Sequence, residues 1–449
     1  MIATYLAIFI FTLCNAVPFV VERSKQIFQP IKLYACVQVL IMVPAMIIVS
    51  NYPEYIQPSV FSVVASDFQA SLTWTIFCYA LMNLTIYTAY YSSVGGFNSL
   101  ESLRRSRVHL TEFESIGSVI FFLAVGTLAF YAKIKASGGL EFLMSNVSRR
   151  VELQSGLGPL NFIISSSYLL ANVAATRRVA TKGDVISGLL LFSAFITGAA
   201  TSSLFGGRKD TLQLLLTIIM VASLSNPKFM RFNIKNIIVL SVLYASVILY
   251  YFAVLIYRDA NSLDGLTENF QNLVSMTLDS YSSLIISLSY IDTYLFATNF
   301  FKWDNFYLGR TFIDLTTAFL PSSLYEFKPP VDDGLYIRAA TLGYLLEPGT
   351  PAADIVHNSW PGETLGTGYM NAGLAGVLIS GWFVGYLLAK GYAYSMKNPD
   401  SIVGIVIVCN LFLNFEMSNL RIVNLISSVI GAILVLLLYK AARRVLPFI

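Results

Sequence analysis

The side chains in this sequence best suited to chemistry are one histidine flanked by carboxylates and a scattered set of arginines. His357 lies in Asp354-Ile355-Val356-His357-Asn358-Ser359-Trp360-Pro361-Gly362-Glu363. An ordinary imidazole pKa of about 6.5 lets it accept a proton from a hydroxyl near neutral pH, with Glu363 beside it. A lone histidine can equally be structural, and the second one, His109, sits in a basic loop where solvation explains it. Arginine suits phosphate because its planar fork donates two parallel hydrogen bonds and stays charged. Arg208 and Arg310 are the leading candidates for holding a phosphate or pyrophosphate, with Arg258 and Arg338 in reserve. Arg208 follows a Gly206-Gly207 turn in a loop too short to hide it. Snorkelling to lipid headgroups is the plainer explanation for Arg149, Arg150 and Arg258. Trp303, Tyr336, Trp360 and Asp332 offer aromatic faces and an acceptor, the pairing that a sugar's apolar face and hydroxyls require. The same aromatics also describe an interfacial belt.

These residues must be positioned by membrane helices. Hydrophobic residues make up 56% of the 449 and charged ones 12%, with a mean hydropathy of +0.68. That composition belongs to an integral membrane protein. Apolar runs near the ~20 residues needed to cross the hydrocarbon occur at about 2–21, 33–51, 72–95, 114–132, 159–176, 184–205, 211–226, 235–257, 366–389, 401–417 and 422–439. About eleven transmembrane helices are expected, in an all-α polytopic fold. The first has no positive n-region or small-residue cleavage site and reads as a retained helix. The chain divides into eight spans (1–257), a loop with short amphipathic helices (258–365) and three final spans (366–449). The loop carries about half of all Asp and Glu. Within it, 283–301 is apolar but interrupted by Asp292, which predicts a helix lying at the interface or covering the site rather than a span.

Alternating the loops gathers Arg104, Arg105, Arg107, Arg177, Arg178, Lys182, Lys228, Arg231, Lys390, Lys397, Arg443 and Arg444 on one side. Those loops are short, so the positive-inside rule makes that side cytoplasmic and the long loop extracytoplasmic. The net charge of +4 then follows from topology and implies no nucleic acid. Gly206-Gly207-Arg208-Lys209-Asp210-Thr211 lacks the first glycine of a phosphate-binding loop. Cys14, Cys36, Cys78 and Cys409 all fall in expected spans, where they act as small apolar residues. No metal site or cofactor is called for.

Three features together resemble the O-antigen polymerase (Wzy-type) family of oligosaccharide repeat-unit polymerases, which is related to the O-antigen ligases. They are Gly207-Arg208-Lys209-Asp210 closing a span, a long outer loop before the last helices, and His357-Asn358 followed by Gly362-Glu363 and Asn371-Ala372-Gly373-Leu374-Ala375-Gly376. The resemblance implies a multi-span, GT-C-like glycosyltransferase of the bacterial inner membrane, working at the periplasmic face without a metal. Its substrates would be undecaprenyl-pyrophosphate-linked oligosaccharides. A chain-length regulator and a flippase would be its partners. His357, Glu363 and Arg208 would be catalytic. The alternatives are an O-antigen ligase, which would use the same residues on a different acceptor, and a polysaccharide flippase or transporter. A transporter should show broken helices and buried ionisable groups.

Overall fold

The structure, a computed structural model, describes residues 1–22, 29–94, 110–145, 157–204, 208–226, 278–320, 325, 327–351, 354–355 and 359–445. Among them all regular structure is helical. The α-helices are α1 (Ile2–Val21), α2 (Pro30–Asn51), α3 (Pro58–Val64), α4 (Phe68–Ser93), α5 (Ile116–Ala136), α6 (Leu140–Ser145), α7 (Gly158–Lys182), α8 (Val185–Leu204), α9 (Arg208–Ser225), α10 (Leu278–Ser289), α11 (Ile291–Phe300), α12 (Gly334–Thr341), α13 (Glu363–Lys397), α14 (Ile402–Leu413) and α15 (Asn419–Val445). Of these, α1, α2, α5, α8, α13 and α15 are long and apolar enough to cross a membrane. The chain is thus a helical, multi-pass membrane protein. The expected span at 235–257 lies outside the described residues.

Helices α4 and α7 occupy two other expected spans yet fall outside those six. The reason is their position. α7 packs against α5, α8, α9 and α15, and α4 packs against α1, α11 and α13. Helix α7, ringed by helices, meets protein instead of lipid, so it can carry polar groups that a lipid-facing helix cannot, while α4 buries one face and turns Trp74, Phe77 and Leu84 outward. Asn172 on α7, for example, donates to the Ala194 carbonyl at 3.2 Å. Small residues bring the axes together. A Cβ on Gly385 would stand 2.2 Å from the Ile86 carbonyl oxygen, and one on Gly381 would stand 3.1 Å from that of Met82. Two glycines four apart therefore admit α4 to the face of α13.

At one end of the bundle, two arginines assigned to the cytoplasmic side are drawn inward. Arg177 and Glu114, both with fully buried side chains, pair at 3.1 Å, and Arg177 also lies 3.8 Å from Asp400. Arg178 donates to the Glu114 carbonyl at 3.3 Å. This network ties α7 to the 3-10 turn Glu112–Glu114 and to the start of α14.

The opposite end is shaped by broken helices. In α13, Ala372 and Gly373 leave helical geometry, Gly373 at φ 58. A Cβ on Gly376 would lie 2.0 Å from the Gly368 carbonyl oxygen, across eight residues that a straight helix separates by about 12 Å. The short segment 363–371 is therefore folded back against 374–397. The stretch 283–301, expected as one helix at the interface or over the site, is instead two helices broken at Tyr290 (φ 53) and packed inside the bundle against α2, α3, α4 and α13. The break puts Asp292 in the first turn of α11, where amide N–H groups and the helix dipole favour a carboxylate. That makes burial of this acid tolerable. The expected span 401–417 ends early, at Leu413, and frees 414–418 to turn toward α13.

Candidate functional site

The fold-back of α13 leaves the carbonyls of residues 370 and 371 without helical donors, and the loop before α12 supplies them. Tyr307 N donates to the Met370 carbonyl at 3.0 Å and Leu308 N to that of Asn371 at 2.8 Å. The Asn371 side chain completes the clamp. Its Oδ1 accepts from Gly309 N at 3.0 Å and from the Thr311 hydroxyl at 3.1 Å, while its Nδ2 donates to the Thr367 carbonyl at 2.9 Å. Asn419, the first residue of α15, donates through Nδ2 to the Thr311 carbonyl at 2.7 Å. Loop, short helix and α15 are thus joined by one amide and hydroxyl network.

Carboxylates line this junction. Asp333 Oδ2 accepts from the Thr367 hydroxyl at 2.6 Å and from Asn419 N at 3.3 Å. Asp332 Oδ1 accepts from Gly334 N at 3.0 Å, at the start of α12. Glu363, held at φ 46, meets Arg421 in a bidentate pair with Arg421 Nε 2.9 Å from Oε2 and a second, shorter contact from the guanidinium to Oε1. Glu416 accepts from the Thr364 hydroxyl, which in turn accepts from Met417 N at 2.9 Å. Arg421 is the cation paired with this group. Burial pushes the Asp333 carboxyl up to about 7, helped by neighbouring Asp332 and Glu363 and opposed by its hydrogen bonds from Thr367 and Asn419. Asp332 is raised for the same first reason, burial. Asn419 is fully buried, and its Oδ1 has no hydrogen-bond partner among the described residues. A buried amide oxygen left open in this way is costly unless something donates to it.

The residues singled out from sequence are placed as follows. Glu363 stands in the middle of the junction and Asp332 at its edge. Tyr336 is 2% exposed. Its hydroxyl donates to Asp314, whose other oxygen accepts from Gly349 N at 3.0 Å, and its ring lies 5.1 Å from that of Tyr307. Trp360 is buried beneath Arg338, whose guanidinium carbon lies 5.2 Å from the indole. Trp303 is 89% exposed and sits beside Phe306 at 5.8 Å. Arg310 opens a 3-10 helix at the surface, 3.8 Å from Glu347. Arg208 begins α9. His357, Arg258, His109, Arg149 and Arg150 lie outside the described residues. The structure thus gathers Glu363 with Asp332, and Arg338 with Trp360, while Arg310 and Trp303 stand at exposed positions of the loop.

Sequence reasoning passed over Arg421, Thr367 and Asn419, and took Asp333 only as one of the carboxylates of the aromatic-rich section Trp303 to Trp360. One signal was there to read, because Arg421 is a basic residue between the last two expected spans, on the side that the charge pattern leaves poor in basic residues. Among the described residues no group of three or more His, Cys, Asp or Glu is arranged to hold a metal ion. The chain matches no protein-family model, no curated protein and no solved structure.

Proposed function

We propose that this chain is a membrane glycosyltransferase that joins oligosaccharide repeat units carried on undecaprenyl pyrophosphate, at the periplasmic face of the bacterial inner membrane. The observation that carries the reading is the buried junction of Asp333, Glu363, Arg421 and Asn419, built where a polar loop meets the starts of α13 and α15 at one end of an apolar bundle. In this reading a sugar hydroxyl attacks the anomeric carbon of the lipid-linked glycan. A carbon–oxygen bond forms, the bond to the pyrophosphate oxygen breaks, and the pyrophosphate leaves with the electron pair. The hydroxyl proton needs an acceptor near neutral pH, a role open to Asp333 or His357. The departing charge needs arginines, for which Arg208, Arg310, Arg338 and Arg421 are available. A chain-length regulator and a flippase are the expected partners.

A second reading has its own observation. Helices broken at Tyr290 and at Ala372–Gly373, beside the buried Glu363–Arg421 pair, are features that transporters use around a substrate. One experiment separates the two. Purified protein is incubated with a lipid-linked repeat unit, and the glycan is sized by gel and mass spectrometry for wild type, Arg208→Ala and Arg421→Ala. A ladder of multiples that the variants lose supports the polymerase. A single transfer onto an added acceptor indicates a ligase. Unreacted glycan that changes leaflet in proteoliposomes indicates a flippase.

A further inference from the structure

Between α1 and α4 runs a groove of about 540 Å³, within the roughly 300–1,000 Å³ range of ligand pockets. Its walls are two helical stripes facing each other, Ala3, Leu6 and Ile10 on α1 and Ala70, Trp74 and Phe77 on α4. Residues three and four apart share a helix face, so each stripe is continuous, and the alanines leave the space that larger side chains would fill. The polar residues at its edge are satisfied among themselves. Thr4 donates to Gln69 Oε1 at 2.7 Å, and Thr73 donates to the Gln69 carbonyl at 2.6 Å. The groove therefore offers hydrocarbon contacts with little to attract water, and α1 beside it exposes Ile2, Leu6, Phe9 and Leu13 as a lipid-facing span does.

The groove is joined to the candidate site by one hydrogen bond. Trp74 Nε1 donates to the Tyr369 hydroxyl at 3.1 Å. Tyr369 lies on the short segment that also carries Glu363, Thr367 and Asn371, and Phe306 of the loop packs on its ring at 6.2 Å. A chain lying in the groove would point its head toward the carboxylate and arginine junction.

We infer that this groove receives the first isoprenyl units of the polyprenyl chain of the lipid-linked substrate, with Trp74 and Tyr369 as the contact between tail and site. The inference rests on the glycosyltransferase reading and adds where the lipid enters. The test uses undecaprenyl pyrophosphate bearing a diazirine on one of its first isoprene units, next to the pyrophosphate, applied to the full chain in lipid nanodiscs, with adducts mapped by mass spectrometry. Labelling within 3–10 and 70–77 is expected, and labelling confined to other helices overturns the assignment. In parallel, retention of unmodified undecaprenyl pyrophosphate is measured by native mass spectrometry for wild type, Ala70→Trp, Ala3→Trp and the lipid-facing control Leu128→Trp. Each groove variant should bind about tenfold more weakly, the loss expected when roughly two methylenes are driven out of an apolar site. The control should bind as wild type does. Folded groove variants that retain the lipid fully, or a groove in which phosphatidylglycerol is labelled and undecaprenyl pyrophosphate does not displace it, sink the inference. A wild type that makes a ladder but labels elsewhere loses only the groove. A wild type that holds no polyprenyl pyrophosphate loses both the groove and the polymerase reading.

Discussion

Breaking the Glu363–Arg421 pair should be far more damaging than removing it whole. The two side chains are 5% and 13% exposed, and the guanidinium meets both carboxylate oxygens. Either partner alone would leave a charge in a site that water barely reaches, which typically costs about 3–5 kcal/mol. Arg421→Met and Glu363→Gln should each show a loss of that size. The double variant strands neither member of the pair, so its cost should fall short of the sum by about 2 kcal/mol or more, beyond the ~0.5 kcal/mol that independent sites show. The backbone adds a second lever. Glu363 sits at φ 46, a left-handed conformation that costs a non-glycine residue about 1–2 kcal/mol. Once the pair is gone, its contribution no longer offsets that strain. Glu363→Gly with Arg421→Met should therefore be more stable than Glu363→Gln with Arg421→Met by about 1 kcal/mol. Reversible unfolding in mixed micelles, followed by tryptophan fluorescence, gives the free energies of wild type and the four variants. Costs that simply add would refute the buried-pair argument, and a glycine variant no better than the glutamine one would refute the strain.

Asp333 makes the site sensitive to pH. Its carboxyl is pushed up to about 7 in the folded protein against about 3.9 in an unfolded chain, so between those values the folded state binds the extra proton. Its contribution to stability is present below pH ~4 and is lost as pH rises toward 7. Asp333→Asn should flatten that dependence in micelle unfolding curves measured from pH 4 to 8, and an unchanged slope would remove Asp333 as its source. At the other end of the bundle, Arg177→Ala strands the buried Glu114 and should cost about 3–5 kcal/mol. Arg177→Ala with Glu114→Gln should recover much of it, as read by melting in detergent. Gly385→Leu drives a side chain into the Ile86 backbone, 2.2 Å from where its Cβ would stand. It should destabilise by at least the ~1–3 kcal/mol of core overpacking, and Gly139→Ala, whose Cβ would meet no heavy atom within 4 Å among the described residues, should lose only what its positive φ costs in the same assay. Thr367→Val removes a hydroxyl that donates to Asp333 at 2.6 Å and should raise the acid limb of the activity profile, while an unchanged profile would detach Asp333 from the reaction.

The membrane class, the helical fold and the positions of most helices follow from the sequence alone, because apolar runs of spanning length have few other solutions. The sequence also marks Glu363 and Asp332 as members of a polar surface, and Asn371-Ala372-Gly373 as the entry to a helix. It does not show that this helix folds back at Gly373, since a glycine in an apolar run reads equally as helix packing until a second backbone is seen against it. That turn exposes the carbonyls of 370 and 371, draws in Tyr307 and Leu308, and so brings Thr367 and Asn371 to the loop. Arg421, Glu363 and Asp333 lie as much as 88 residues apart, and no local pattern links them. Their pairing was decided by the early end of α14 at Leu413 and the start of α15 at Asn419. Long-range contacts of this kind depend on which helix faces meet. Hydrophobic periodicity fixes which residues turn away from lipid, but in a bundle whose helices α4 and α7 bury polar side chains such as Asn83 and Asn172 it cannot say which neighbour each will find. Only the packed bundle selects the partners, because a buried charge or amide is tolerated solely where its complement arrives with it.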